Sequence, residues 1–271
     1  MTAKSYSTRS WARSRGSHTY LIVASLLALA LTGCGKTEPR KKAAPPPEAE
    51  ASAAPAPEAK SPPPDPCERP PGLLVLDNFE DGDNTAIPLQ GGTGGWFIST
   101  DGTANGVIYP PLGPANPERL QPPRCGSSFA LHLRGQGFRT WGAVVSVTPR
   151  FQRKAQPVNL GEYRGMRFWV RAGNGQLGAL RLKIDDANTH PDGGRCAADG
   201  GSGGCWNAFG IDMPTIDADW QEKVVLFDSL TQSIPESAPQ ALDRANIYTI
   251  GFRVSPGNPF DIWIDDPSFF R

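Results

Sequence analysis

In Met166-Arg167-Phe168-Trp169-Val170-Arg171 apolar and polar residues alternate, so Met166, Phe168 and Val170 share one face of an extended strand and Arg167 and Trp169 share the other. The same phase in Phe129-Ala130-Leu131-His132-Leu133-Arg134 sends Phe129, Leu131 and Leu133 inward and leaves His132 and Arg134 outside. In Leu180-Arg181-Leu182-Lys183-Ile184-Asp185 it leaves Arg181, Lys183 and Asp185 away from the core. Aromatic faces and planar polar side chains set side by side are the usual makings of a ligand-binding surface. Trp169, Arg167, His132 and Asp185 are therefore expected to form one binding platform, with Trp96, Trp141, Trp206 and Trp263 as further aromatic surfaces. The competing expectation is a solvated charged face with Trp169 packed under a loop or on the second sheet. A register slip of one residue would turn every one of these side chains to the opposite face.

Catalytic equipment is sparse. The histidines are His18, His132 and His190, and no His-Glu-x-x-His is present to build a zinc hydrolase. Gly200-Gly201-Ser202-Gly203-Gly204 matches Gly-x-Ser-x-Gly in form, but it lies in a glycine-rich loop between cysteines instead of between a strand and a helix, so the match is by chance. Gly35-Lys36-Thr37 matches the end of a phosphate-binding loop, yet Ala30 stands where its first glycine is needed, so no nucleotide is expected. Asp185, Asp212 or Asp261 could supply a hydrolytic carboxylate pair, which keeps a glycosidase as a minor alternative.

After Cys34 four cysteines follow: Cys67, Cys125, Cys196 and Cys205. An even number in an exported chain reads as two disulfides. The glycines between Cys196 and Cys205 let that loop turn back on itself, so these two are expected to pair, and Cys67 to pair with Cys125. A zinc site with His190 is the alternative, disfavoured because no Cys-x-x-Cys occurs.

The export signal is N-terminal. Lys4, Arg9, Arg13 and Arg15 precede the apolar run Tyr20 to Leu31, which is too short for a helix across a hydrocarbon layer of roughly 30 Å. Leu31-Thr32-Gly33-Cys34 then resembles the lipobox of bacterial lipoproteins. That resemblance implies a signal peptide over 1–33, cleavage before Cys34 and lipidation of Cys34, hence an exported chain whose membrane contact is its lipid anchor. Gly35, not an aspartate, follows Cys34, which fits an outer membrane or cell surface. Removing 1–33 takes away four basic residues and no acidic one, so the remainder is mildly acidic and lacks the basic patch that nucleic acid requires. Residues 34–66 are rich in Pro and Ala and hold no branched aliphatic or aromatic residue, so they are expected to be a disordered linker.

Residues 67–271 carry short alternating segments separated by Gly- and Pro-rich loops, the pattern of an all-β sandwich. Further strands are expected at Leu73 to Phe79, Trp96 to Thr100, Trp141 to Val147, Cys205 to Ile211, Lys223 to Phe227, Tyr248 to Val254 and Phe260 to Asp265. Only Ser237 to Ala245 reads as helix. The long segment Asp185 to Trp206 is expected to overhang the sheet and to carry recognition.

The order of Val75-Leu76-Asp77-Asn78-Phe79-Glu80, Trp141-Gly142, Met166 to Val170, Asp219-Trp220-Gln221 and Ile262-Trp263-Ile264-Asp265-Asp266 resembles family 11 carbohydrate-binding modules, within the galactose-binding-like jelly rolls. The resemblance implies a jelly-roll β-sandwich in which Asp77, Phe79 and Glu80 lie close to Asp265 and Asp266. It also implies a structural calcium, for which Glu80, Asp83 and Asp265 are the expected ligands and Asp266 the alternate. A turn of the Asp-Gly type accounts for acidic residues at Asp81-Gly82-Asp83-Asn84 without any metal. The expected function is non-catalytic binding of a polysaccharide or glycan by a lipid-anchored protein. The alternative is a protein-binding scaffold lipoprotein, as implied by the intermediate-associated family of the same fold.

Overall fold

The computed structural model describes residues 67–173, 180–197, 204–234 and 241–271. The leader, Cys34, the linker, most of the glycine-rich loop of the second disulfide and Ser237 to Gln240 lie outside the described residues. Ala241 to Ala245, the rest of the expected helix, contain no helical turn.

Strands dominate. The first six are β1 (Leu74–Val75), β2 (Thr85–Leu89), β3 (Gly92–Thr100), β4 (Val107–Tyr109), β5 (Gly113–Pro114) and β6 (Glu118–Arg124). Then come β7 (Ser127–Gln136), β8 (Ala143–Thr148), β9 (Phe151–Gln152), β10 (Lys154–Ala155), β11 (Gly165–Ala172) and β12 (Leu180–Asp186). The last are β13 (Phe209–Met213), β14 (Gln221–Leu226), β15 (Thr231–Gln232), β16 (Ile247–Val254) and β17 (Phe260–Phe270). Apart from the β9–β10 hairpin, which pairs only with itself, they build two antiparallel sheets. Sheet one runs β14-β11-β17-β7-β4, with β1 on β17 and β6 on β7. Sheet two runs β15-β13-β12-β16-β8-β3-β2, with β5 on β3. The chain passes repeatedly between layers, β7 to β8, β11 to β12, β13 to β14 and β16 to β17, which makes this a jelly-roll β-sandwich.

Alternation explains the layers. Met166, Phe168 and Val170 of β11 face Leu180, Leu182 and Ile184 of β12 and Ile250, Phe252 and Val254 of β16 in one continuous core. Phe168 meets Phe252 edge-on at 4.8 Å, and Trp96 stacks on Phe252 at 6.2 Å. Each fully buried large side chain contributes roughly 1.5–3 kcal/mol. Asp77 is the polar member of this interior: its carboxylate accepts the Trp96 indole N–H at 2.8 Å and the Phe79 backbone N–H at 2.8 Å. Burial is the main reason its pKa is pushed up to about 6, against the two hydrogen bonds that favour the charged form.

Both expected disulfides form, Cys67–Cys125 and Cys196–Cys205. Strand bounds differ from expectation at two places with clear causes. Only Leu74–Val75 of Leu73 to Phe79 pairs, because Phe79 takes a left-handed backbone (φ 60) and ends the extension. The strand expected from Cys205 starts only at Phe209, because Trp206 is also left-handed (φ 72).

Candidate functional site

Of the four residues expected to form one platform, Trp169 and Arg167 line one small cavity of about 290 Å³ together with Arg124, whereas His132 and Asp185 are not among its lining residues. Trp169, Arg167 and His132 stand on the outer side of sheet one, whereas Asp185 belongs to sheet two. Beyond that cavity, much of sheet one's outer face is covered by the chain's own side chains. The guanidinium of Arg124 lies over Trp169 at 4.8 Å and Trp220 at 5.5 Å, and that of Arg171 over Trp220 at 5.3 Å and Trp263 at 5.1 Å. Trp263 stacks on His132 with centroids 3.8 Å apart. The two His132 ring nitrogens contact Glu118 at 2.6 Å and Asp261 at 2.7 Å, and Arg167 bonds Glu222 through Nε at 2.6 Å. Indoles and guanidiniums thus alternate in one tape, each of the three indoles meeting at least one internal guanidinium. Strand β6 seals it by packing Leu120 with Trp263 and Ala130. That strand contains Pro122 and Pro123, so from sequence it reads as loop.

The three expected calcium ligands are likewise engaged within the chain. Glu80 accepts from the backbone N–H of Ser128 at 2.8 Å and of Phe129 at 3.0 Å, and from the Ser127 hydroxyl at 3.1 Å. Asp83 accepts the Thr85 N–H at 2.6 Å, as turn aspartates do. Asp265 accepts Arg124 Nε–H at 2.9 Å and the Asp266 N–H at 2.8 Å, and Asp266 pairs with Arg124 and Arg69. Among the described residues no three His, Cys, Asp or Glu side chains gather as a metal set. A guanidinium occupies the place where a cation would balance Asp265 and Asp266, so these donors do not fit calcium. Burial, and next the charge of Asp266, push Asp265 up to about 6 despite Arg124. The pair sits where β17 shifts register against β11 between Arg167 and Trp169, with Asp266 left-handed (φ 50), a bulge that turns the strand's side-chain phase.

An open binding space lies instead on the outer face of sheet two. A cavity of about 720 Å³ there is lined by side chains of β3, β8, β12 and β16 and by flanking loops, including Arg181, Lys183, Arg253, His190, Trp141 and Trp206. Its floor is set by register. Val144, Arg253, Arg181 and Asp212 form one row across β8, β16, β12 and β13; Ser146, Gly251, Lys183 and Gly210 form the next. A Cβ on Gly251 would meet Ser146 Cβ at 3.0 Å and Val144 Cγ2 at 3.2 Å, so glycine keeps the middle of the floor low. Thr249, Ser99, Ser146, Thr148 and Ser233 add hydroxyls.

Two tryptophans flank this floor from different loops. Trp206 is 59% exposed and directly follows Cys205, so the Cys196–Cys205 bond fixes its place. Its N–H donates to Thr189 O at 2.7 Å, and Lys183 Nζ lies 5.7 Å from its ring. Trp141 is 37% exposed and belongs to a turn built around Asp101, whose Oδ2 accepts backbone N–H groups of Arg139, Thr140, Trp141 and Gly142 at 2.8–3.2 Å. Desolvation opposes the Asp101 charge, yet the bonds from Thr103 and these backbone groups prevail and hold its carboxyl well below the usual range. Gly142 is required there: φ is 92, and a Cβ would fall 2.0 Å from Val254 O.

His190 completes one wall. Its ring stacks on Tyr248 at 5.1 Å and meets Trp206 edge-on at 5.2 Å. Nδ1 accepts the Asp192 N–H at 3.1 Å, which places the neutral ring's proton on Nε2. Burial lowers its pKa, so the ring is neutral near pH 7. Asp185 lies beneath this floor, 0% exposed, accepting Thr249 Oγ1–H at 2.6 Å and Lys183 Nζ–H at 3.0 Å. Arg181 donates to Asp212 at 2.8 Å and to Thr231 O at 2.7 Å.

Of the aromatic surfaces expected from sequence, Trp141 and Trp206 line this groove, Trp96 is in the core and Trp263 is in the tape on sheet one. Of the segment Asp185 to Trp206, His190 and Trp206 line the cavity on sheet two, while 198–203 lie outside the described residues. Arg253, Thr249 and Ser146 escaped sequence reasoning. Their signal was the outward phase of β16 and β8, which shows which side a residue takes but not which of two sheets it joins.

No protein-family model and no curated protein sequence matches the chain. Among solved structures, it is similar to the family 11 carbohydrate-binding module from Clostridium thermocellum in complex with a β-1,3-1,4-mixed-linked tetrasaccharide, at 13% identity over 73% of this chain and 95% of that one (TM-score 0.46). It is similar to the family 30 carbohydrate-binding module of a cellulosomal cellulase of the same organism, at 13% identity over 69% and 96% (TM-score 0.43). A third similar structure is TmCBM61 in complex with β-1,4-galactotriose, at 15% identity over 72% and 94% (TM-score 0.35).

Proposed function

We propose that this is a non-catalytic glycan-binding protein whose groove on sheet two holds a polysaccharide chain. The observation that carries the reading is the pairing of two exposed indoles, Trp141 and Trp206, on either side of a polar floor in a cavity of about 720 Å³. Indole faces suit the C–H surfaces of pyranose rings, and the hydroxyl, guanidinium and ammonium groups suit their oxygens. Binding without cleavage is supported by the state of the nearby carboxylates: Asp185 is tied to Lys183 and Thr249, and Asp212 to Arg181, so neither is poised to protonate a glycosidic oxygen. Leu31-Thr32-Gly33-Cys34 and the Pro/Ala-rich segment after it support an exported chain held by lipid on Cys34, with the sandwich presented away from the membrane.

Affinity electrophoresis of the full chain through gels containing polysaccharides tests the reading. Retardation by at least one polymer, lost in Trp206→Ala, is expected. A folded protein that no polysaccharide retards, or retardation untouched by Trp206→Ala and Trp141→Ala, would overturn it.

A further inference from the structure

We infer that the groove selects an acidic polysaccharide, one whose rings carry carboxylate or sulfate oxyanions; this deepens the glycan-binding reading and rests on it. Three cations, Arg181, Lys183 and Arg253, line the same cavity. Arg253 is the direct cross-strand neighbour of Arg181, and Lys183 stands beside Gly251, which has no side chain to separate it from β8. Like charges opposite one another on a sheet are destabilising unless something balances them. Asp212 balances Arg181 and Asp185 balances Lys183. Arg253 has no ion pair among the described residues, and its buried Nε has no hydrogen-bond partner there. Burial first and Arg181 second weaken its hold on its own charge, and the more distant Asp212, already paired with Arg181, acts the other way.

This leaves one guanidinium in excess on the floor of a sugar-sized groove. A neutral ring offers only hydroxyls, whereas a ring-borne oxyanion can accept two parallel N–H bonds and offset the repulsion from Arg181. The neighbouring neutral residues fit the rest of such a ring: Trp206 for its C–H face, Ser146, Thr249 and Ser99 for its hydroxyls. His190 adds no charge near pH 7, since burial holds it neutral, so the selecting cation is Arg253.

The test compares the full chain in gels of polygalacturonate (carboxylate), carrageenan (sulfate) and mixed-linkage β-glucan (neutral), each at low and at physiological salt. At least one acidic polymer should bind about tenfold or more tightly than the neutral one, the scale of one hydrogen bond to a charged group. That preference should shrink as salt rises. It should also fall by about tenfold in Arg253→Gln, and Trp206→Ala should abolish retardation, which separates groove binding from surface adsorption. Whichever acidic polymer binds identifies the oxyanion. If Arg253→Gln does not fold, the salt dependence of the unaltered chain decides. Neutral glucan bound as tightly as either acidic polymer, with no salt dependence, would overturn the inference and leave the glycan-binding reading standing. Binding to none of the three by a folded chain that does bind another neutral polysaccharide would overturn the inference alone, and binding to no polysaccharide at all would overturn both.

Discussion

Replacing Cys196 and Cys205 together by serine separates the two consequences of one cystine, stability and placement of Trp206. The bond closes a loop with a sequence separation of 9, whereas Cys67–Cys125 closes one with a separation of 58. The loop-entropy relation assigns about 3 kcal/mol to the short loop and about 4 kcal/mol to the long one. Binding should follow the opposite order. Trp206 adjoins Cys205 with a left-handed backbone (φ 72), a conformation a tryptophan rarely holds without support. Once freed, its side chain must be ordered again on each binding event, at about 0.5–1.5 kcal/mol, or roughly three- to tenfold in affinity. Cys67 and Cys125 border the opposite sheet, beside Arg124 and Trp169. The Cys67→Ser/Cys125→Ser protein should therefore be the less stable variant in urea yet bind polysaccharide as the unaltered chain does. The Cys196→Ser/Cys205→Ser protein should be the more stable of the two and the weaker binder. Equal loss of binding in both variants would refute the assignment of Trp206 to the site.

Asp77 should make stability depend on pH in an identifiable window. Its pKa is about 6 when folded and 3.8 as the ordinary value, so the folded state holds the proton more tightly; the stability this brings is fully present below about pH 4 and lost as pH rises through about 6. Measured by urea denaturation, the unfolding free energy of Asp77→Asn relative to the unaltered chain should rise by about 2 kcal/mol between pH 4 and pH 7, and a difference independent of pH would refute the raised pKa. Arg124→Ala should cost about 3–5 kcal/mol, because it strands Asp265 in the interior without its cation and leaves Asp266 to Arg69, while adding Asp265→Asn in the same chain should restore part of the loss.

The sequence by itself determined the all-β sandwich, the inward sets of β7, β11 and β12, and both disulfides. Side chains alternate with period two along a strand, a glycine-rich loop lets Cys196 and Cys205 meet, and Cys67–Cys125 is then the pair that remains. What alternation cannot carry is partnership between distant strands. His132 and Asp185 are both outward by phase, yet one contacts Trp263 in the tape on sheet one and the other underlies the groove of sheet two. The same limit applies to Arg124: nothing local marks it as the cation between Trp169 and Trp220 and the partner of Asp265, because β6 reaches that face only by pairing with β7. Tertiary structure alone decided which outward face kept exposed indoles that internal cations do not cover on both sides. Sheet one spent its indoles on its own guanidiniums, whereas sheet two kept Trp141 and Trp206 clear on loops that an Asp101-centred turn and a cystine hold in place.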